Sequence, residues 1–288
     1  LGQPSLDTCS DPPFTITVSK GVLVDVAAIM SSKPICVALD TPVEAARELM
    51  DSRGVRHLPV VADDRVVGLV SDRDLYPTER EIAIARNGSR GDGRPTIADV
   101  LHTKLTTLTP DDSLVTAAMK CLSNGDGCLP VMRGTQLVGI LSEMDLLGTI
   151  ARSWRQDEQP DGKPHPTAEH LMPPFPLVAT PEMTGTEALG RGRSPRARPL
   201  PVIEGDLLAG IVSDRDLRRC AMAGLAPETA LSEIMERDPL TIGPRHPSPE
   251  AAALMATARI SALPVVDGIQ LVGMLTLTDL IKHFVHTL

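Results

Sequence analysis

The stretch LPVVADDRVVGLVSDRDL, Leu58 to Leu75, decides the architecture because the chain writes it four times. It returns as LPVMRGTQLVGILSEMDL from Leu129, as LPVIEGDLLAGIVSDRDL from Leu200 and as LPVVDGIQLVGMLTLTDL from Leu263. The prolines Pro59, Pro130, Pro201 and Pro264 stand 71, 71 and 63 residues apart. The glycines Gly68, Gly139, Gly210 and Gly273 and the aspartates Asp74, Asp145, Asp216 and Asp279 keep the same intervals. Self-similarity of this kind marks a fold built from one supersecondary unit used repeatedly.

Each copy predicts the same elements in the same order. A short apolar strand, Pro59-Val60-Val61 in the first copy, runs into a turn at Asp63-Asp64-Arg65, Arg133-Gly134, Glu204-Gly205 or Asp267-Gly268. A second apolar strand comes next, Val66 to Val70 in the first copy, with a glycine inside it. Glycine within a strand predicts that another backbone approaches closely there. A hydroxyl residue, Ser71, Ser142, Ser213 or Thr276, then opens a helix.

Upstream, Pro42 to Ser52 places Val43, Ala46, Leu49 and Met50 on one helical face. Before it lie a short extended piece, Ile35-Cys36-Val37, and a small helix end. Met30, Met172 and Met235, just ahead of the first strands, are expected in the core. In the third copy the upstream helix is replaced by GTEALGRGRSPRARP, Gly185 to Pro199. Glycine costs a helix interior about 1 kcal/mol and proline about 3, so this helix should be short or partly unwound.

These readings predict an α/β (α+β) chain of four small three-stranded sheets, each with two packed helices. An extension, 1–20, precedes a first unit, 21–152, with copies at about 24–80 and 97–152. A linker, 153–166, rich in proline and polar residues, separates it from a second unit, 167–288, with copies at about 167–223 and 230–288.

Composition narrows the function classes. The chain has 288 residues, a net charge of −9 and only three Phe, one Tyr and one Trp. An acidic chain is a poor match for a nucleic-acid or anionic-membrane surface, so neither partner is expected. A ligand ring would have to rest on aliphatic side chains and backbone. The five cysteines, odd in number and without C-x-x-C, argue against a disulfide framework or zinc site and for a cytoplasmic location. LGQPSLDTCSDPP at the start lacks a signal-peptide pattern. His283 and His286 lie one turn apart without a third ligand, so no metal is expected. With no nucleophile–base pair or phosphate-binding loop, an enzyme is not expected either.

The recurring L-P-V, strand glycine and hydroxyl-x-x-Asp, each behind a helix-Met-strand-helix lead-in, resemble cystathionine-β-synthase-type (CBS) repeats, over roughly residues 20 to 288. The resemblance implies that repeats pair into two Bateman modules, and that these pack as a monomeric four-repeat disk or associate through a homodimer. It also implies adenine-nucleotide or adenosyl ligands, with AMP, ADP, ATP and S-adenosylmethionine as candidates, bound between paired repeats. No cofactor is obligatory, and the role implied is regulatory, exerted on a separate protein.

The residues supply a chemistry for that expectation. A helix N-terminus offers unpaired N–H groups, to which Ser71, Ser142, Ser213 or Thr276 adds a hydroxyl. A carboxylate three residues on, Asp74, Asp145, Asp216 or Asp279, can accept both hydroxyls of a ribose. The same spacing approximates a capping box needing no ligand. Capping and binding can coexist. Positive charge is concentrated in the odd copies, where Arg73 and Arg215 lie inside SDRD and Arg56 (beside His57) and Arg198 precede the LPV proline. Arg259, in ARISALPVVD, resembles a phosphate-contacting lead-in of a nucleotide-sensing kinase subunit. All are candidate phosphate ligands. The base is expected against the first strands, at Ile35, Val37, Leu177 and Ile242, within Ile35–Val37, Leu105–Leu108, Leu177–Ala179 and Leu240–Ile242. The competing expectation is an interaction module with vestigial clefts.

Overall fold

The computed structural model describes residues 24–75, 95–125, 127–156, 164–173, 176–191, 199–222 and 228–287. In the first copy a turn of 3-10 helix, Val26–Ala28, precedes α1 (Val43–Arg53), β1 (His57–Ala62) and β2 (Arg65–Ser71). The second copy contains α2 (Ile97–Val100), α3 (Leu114–Asn124), β3 (Cys128–Arg133), β4 (Gln136–Ser142) and α4 (Glu143–Gln156). The third contains α5 (Ala168–Leu171), α6 (Gly185–Arg191), β5 (Leu200–Glu204), β6 (Leu207–Val212) and α7 (Asp214–Met222). The fourth contains α8 (Leu231–Ile234), α9 (Ser248–Ala258), β7 (Ala262–Asp267), β8 (Gln270–Thr276) and α10 (Leu277–His286). No helix among the described residues is long and apolar enough to cross a membrane.

Local chemistry accounts for the helix ends. Ser113 caps α3 by accepting from the Thr116 N–H at 3.1 Å, and Gly54 and Gly125 close α1 and α3 in the left-handed region. α6 is described over seven residues, and the stretch from Gly192 to Arg198, on which its expected shortening turns, lies outside the described residues.

Every copy is built around an antiparallel hairpin with a two-residue loop, placed one residue later than the sequence suggested in copies two to four. The predicted third strand shrinks to one parallel bridge, Val37 to Val60, Leu108 to Val131, Ala179 to Val202 and Ile242 to Val265. The LPV proline, which lacks an N–H, takes part through its carbonyl. Pro59, Pro130, Pro201 and Pro264 accept from the first-strand N–H groups at 2.9–3.1 Å. Hairpins β1-β2 and β3-β4 stay separate, whereas β5-β6-β8-β7 form one four-stranded sheet joined at Leu207 and Gln270.

The strand glycines mark where the copies interlock. A Cβ on Gly139 would overlap the sulfur of Met30, which precedes the first strand of the other copy in the pair. On Gly68 it would meet Leu101 and, at 2.6 Å, the His102 carbonyl oxygen. On Gly210 it would lie 2.6 Å from the Glu236 carbonyl oxygen, and on Gly273 it would overlap the Met172 sulfur. Each lead-in therefore lies on its partner's hairpin. Backbone pairs clamp it there: Ser31 with Ile140, His102 with Leu69, and Glu236 with Ile211.

Three cores result. The first copy packs around Val37, Val43, Ala46, Met50, Leu58 and Val60, completed by Ile97 from the second copy's lead-in. The third packs around Ala179, Ala188, Leu200 and Val202, completed by Leu231 from the fourth. The second and fourth copies share one large core, in which α4 lies against α9 and α10 against α3 and α4. At its edge the Trp154 ring sits 5.9 Å from that of His165, 5.6 Å from His283 and 6.4 Å from Phe284. The buried Nε2 of His283 has no hydrogen-bond partner among the described residues.

The packing makes two outcomes testable. Gly68→Ala and Gly210→Ala press on a backbone carbonyl that cannot swing aside, and should cost about 1–3 kcal/mol in urea unfolding. Gly273→Ala meets the end of a flexible methionine and should cost less. Burial, then nearby His165 and His286, holds the His283 pKa below its ordinary value. The unfolded chain therefore takes up this proton first as pH falls. Stability is full above about pH 6.5 and should decline below it. Urea titrations followed by Trp154 fluorescence should show that decline, and His283→Phe should reduce it.

Candidate functional site

The four hydroxyl-x-x-Asp motifs sit at the C-terminal end of each hairpin's second strand; Asp145, Asp216 and Asp279 cap the helices that follow, and Asp74 makes the same bonds within a turn, beyond which the chain lies outside the described residues. Oδ2 of Asp74, Asp145, Asp216 and Asp279 accepts from the backbone N–H of Ser71, Ser142, Ser213 and Thr276 at 2.7, 3.0, 3.0 and 3.0 Å. The hydroxyl of each Ser or Thr donates to the same oxygen. The cap consumes one carboxylate oxygen and points the other outward. For Asp145, Asp216 and Asp279 that outer oxygen bears no protein hydrogen bond among the described residues. In Asp74 it lies 2.8 Å from Nε2 of His102, which comes from the second copy's lead-in.

A cavity of about 450 Å³ opens between the third and fourth copies. Ser213 and Asp216 form one wall, with Ile211 before them. Glu236, Asp238, Pro239 and Leu240, from the fourth copy's lead-in and first strand, also line it. Ser261, Ala262 and Pro264 of the fourth copy and Arg56, Asp72 and Arg73 of the first complete the lining.

The odd-copy arginines converge here, though less simply than expected. Arg215 Nη2 is 2.5 Å from Asp72 Oδ2, and Arg73 Nε is 3.7 Å from Asp214 Oδ2, which Arg218 also meets at 2.9 Å. The two SDRD segments thus bond each other reciprocally across the seam between copies one and three. Arg56 lies within this cluster, and its guanidinium is held below its ordinary pKa first by burial and then by Arg215, with Arg73 and Arg259 adding to the effect and Asp72 opposing it. A cation set among like charges is a place where an anion is favoured.

Other predicted residues lie elsewhere. Arg259 donates to the Gly54 carbonyl at 3.1 Å, and Arg56 to the Arg259 carbonyl at 3.4 Å, so Arg259 stitches copies one and four together outside the cavity wall. His57 faces Gly127 and Glu143 of the second copy. Arg198 and the neighbouring Arg193 and Arg196 lie outside the described residues; Pro199, next in the chain, lines the cavity.

The residues expected to face the base divide between core and cavity. Val37 and Ile242, against expectation, are only 8% and 4% exposed and belong to cores, because they are the residues that bridge to the hairpins. Ile35 packs against the same core as Val37, whereas Leu240 is 50% exposed and lines the cavity. Leu177 is likewise exposed, at 52%, in the third copy. The sequence reading missed the acids Asp72, Asp214, Glu236 and Asp238. Asp72 and Asp214 had a signal, since they complete the SDRD shared by the odd copies. Glu236 and Asp238 had none until the lead-in was seen to cross to its partner. Among the described residues no cluster of three His, Cys, Asp or Glu could hold a metal ion.

The CBS domain model matches residues 26–77, 97–152 and 231–286, more than half of the chain and three of its four copies. The chain is 32% identical over 148 residues to an inosine-5'-monophosphate dehydrogenase of Korarchaeum cryptofilum, covering 51% of this chain but only 30% of that enzyme. It is 33% identical over 104 residues to the CBS domain-containing protein YhcV of Bacillus subtilis, covering 36% and 74% of the two chains. It is 24% identical over 279 residues to the uncharacterized protein MJ1225 of Methanocaldococcus jannaschii, covering 88% and 96%. The crystal structure of MJ1225 superposes with a TM-score of 0.75 at 23% identity, over 91% of this chain and all of that one. A fold of interlocked hairpins, motifs at matching positions and a family match over most of its copies together place this chain in the CBS domain family.

Proposed function

We propose that this chain is a regulatory protein of four CBS repeats in two Bateman modules, residues 21–152 and 167–288, with the third copy a diverged repeat. It binds an adenine nucleotide or related adenosyl ligand between the third and fourth repeats and passes the loaded state to a separate protein. The observation that carries the reading is the cavity in which Ser213, Asp216, Leu240, Arg56, Arg73 and Arg215 meet. Ribose hydroxyls bond the outer oxygen of Asp216, the ring rests against Leu240 and Pro239, and phosphates turn toward the arginines. AMP, ADP, ATP and S-adenosylmethionine are the candidates. The scarcity of aromatics suits a ring held by aliphatic and backbone contacts.

One observation favours the alternative for the first module. His102 already engages the outer oxygen of Asp74, which gives that cleft a structural role. The position equivalent to His102 in the second module is Glu236, a carboxylate that cannot tie down Asp216. Both modules lie in one chain, and the assembly proposed is a monomeric four-repeat disk or a homodimer.

The test separates binding from capping. Asparagine keeps one acceptor oxygen for the Ser213 N–H and hydroxyl but replaces the outer acceptor with an N–H donor. Asp216→Asn should leave the unliganded melting temperature nearly unchanged and weaken nucleotide affinity by roughly 10-fold or more in calorimetry. Asp74→Asn should bind as the parent does. Arg56→Ala should weaken AMP but not adenosine. At a hundredfold excess over Kd a true ligand adds about 2.7 kcal/mol of stability. No binding of any candidate at millimolar concentration, or equal affinity for Asp216→Asn and the parent, refutes the reading.

A further inference from the structure

The two modules meet along seams of opposite character. Copies two and four share a continuous apolar core that contains Leu146, Ile150, Met255, Leu280 and Phe284. Copies one and three keep separate cores. Between them stand the reciprocal ion pairs Asp72–Arg215 and Asp214–Arg73. The pairs are partly shielded, with side-chain exposures of 17% and 30% for the first and 12% and 45% for the second. All four residues line the cavity. Copies two and four carry Met144 and Thr278 at the arginine position, so their seam has no equivalent pair.

We propose that this reciprocal SDRD pair is an anion-released clasp, opened from within the cavity while the apolar seam between copies two and four acts as the hinge. The proposal rests on the nucleotide site proposed for this cavity and adds how that site is coupled to shape. Arg56 supplies the reason for release. It lines the cavity beside Arg73 and Arg215, and among the described residues its side chain donates only to the Arg259 carbonyl, with no carboxylate of its own. A phosphate dianion arriving beside Arg56 brings more charge than either aspartate and can accept from several guanidinium N–H groups at once. It therefore competes with Asp72 for Arg215 and with Asp214 for Arg73. Once displaced, the two aspartates repel the anion and each other, and the seam between copies one and three loses its ties. The hinge seam is apolar and insensitive to this exchange of charge. The acids that held the clasp thus weaken ligand binding, and removing them should strengthen it.

Spin labels on the hairpin loops of copies one and three, through Asp64→Cys and Asp206→Cys with Cys9, Cys36 and Cys220 replaced by serine, would report the seam by pulsed dipolar distance. AMP and inorganic pyrophosphate are the probes, with binding followed by calorimetry. The separation should lengthen on saturation with either probe. In Asp72→Asn/Asp214→Asn it should already be long without ligand, and AMP should bind about tenfold tighter. Trp154 fluorescence, which reports the hinge seam, should stay constant throughout. If AMP binds but neither separation nor affinity differs between parent and variant, the clasp is refuted while the ligand site stands. If no nucleotide binds, the ligand reading fails. The clasp is then upheld if pyrophosphate lengthens the parent's separation to that of the variant, and refuted if it does not.

Discussion

The molecule depends on a missing methyl group. Each hairpin carries glycine at Gly68, Gly139, Gly210 or Gly273, and the lead-in of the neighbouring copy lies in the space a Cβ would need. With the side chain gone, two backbones come close enough to exchange hydrogen bonds, as Ser31 does with Ile140 and Glu236 with Ile211. The consequence reaches beyond local fit. Ile97 and Leu231 complete cores that belong to the preceding copies, and Val24 and Val26 complete the core of the copy after their own. A solitary copy would leave its core unfilled and its own lead-in exposed, so the stable unit is a pair. The register shift beside each glycine bends the strand at the same place in all four hairpins.

Pairing by exchanged lead-ins also makes the clefts. Because Glu236 and Leu240 belong to the fourth copy while Ser213 and Asp216 belong to the third, the cavity exists only where two copies are interlocked. No single continuous run of chain could build it. The arrival of Arg56 and Arg73 from the first copy adds a third contributor, and with it a means of coupling the cavity to the arrangement of the modules.

Much of this was legible in the sequence. The repeat, the hairpins and the close approach at the strand glycines all follow from spacing and from the steric demands of Gly and Pro. Met30 and Met172 read as core residues, and they are, but in the partner's core; one sequence does not say that a segment crosses over. The same gap hid Glu236 and Asp238. Val37 and Ile242 are buried because they are the residues that bridge to the hairpins, a pairing that a three-residue apolar run does not announce. The arginines of SDRD were read without their aspartates, although a motif containing both signs invites self-pairing as readily as ligand binding.

The choice between cap and ligand, sharp in the sequence, dissolves in the geometry. A carboxylate has two oxygens, and the cap uses one. The cap's hydrogen bonds hold the carboxylate in a fixed orientation, so the outer oxygen meets a ligand already aimed, and no side-chain entropy is lost on binding. What distinguishes the clefts is the residue opposite, delivered by the exchanged lead-in at the place where it bridges to the hairpin. His102 offers Asp74 a nitrogen at 2.8 Å and satisfies it internally. Glu236, at the equivalent position, offers Asp216 only a second carboxylate, which leaves the outer oxygen in need of a donor. Two copies with the same motif therefore present opposite surfaces to solvent, one satisfied and one waiting. The difference lies in the segment that crosses over and not in the motif itself.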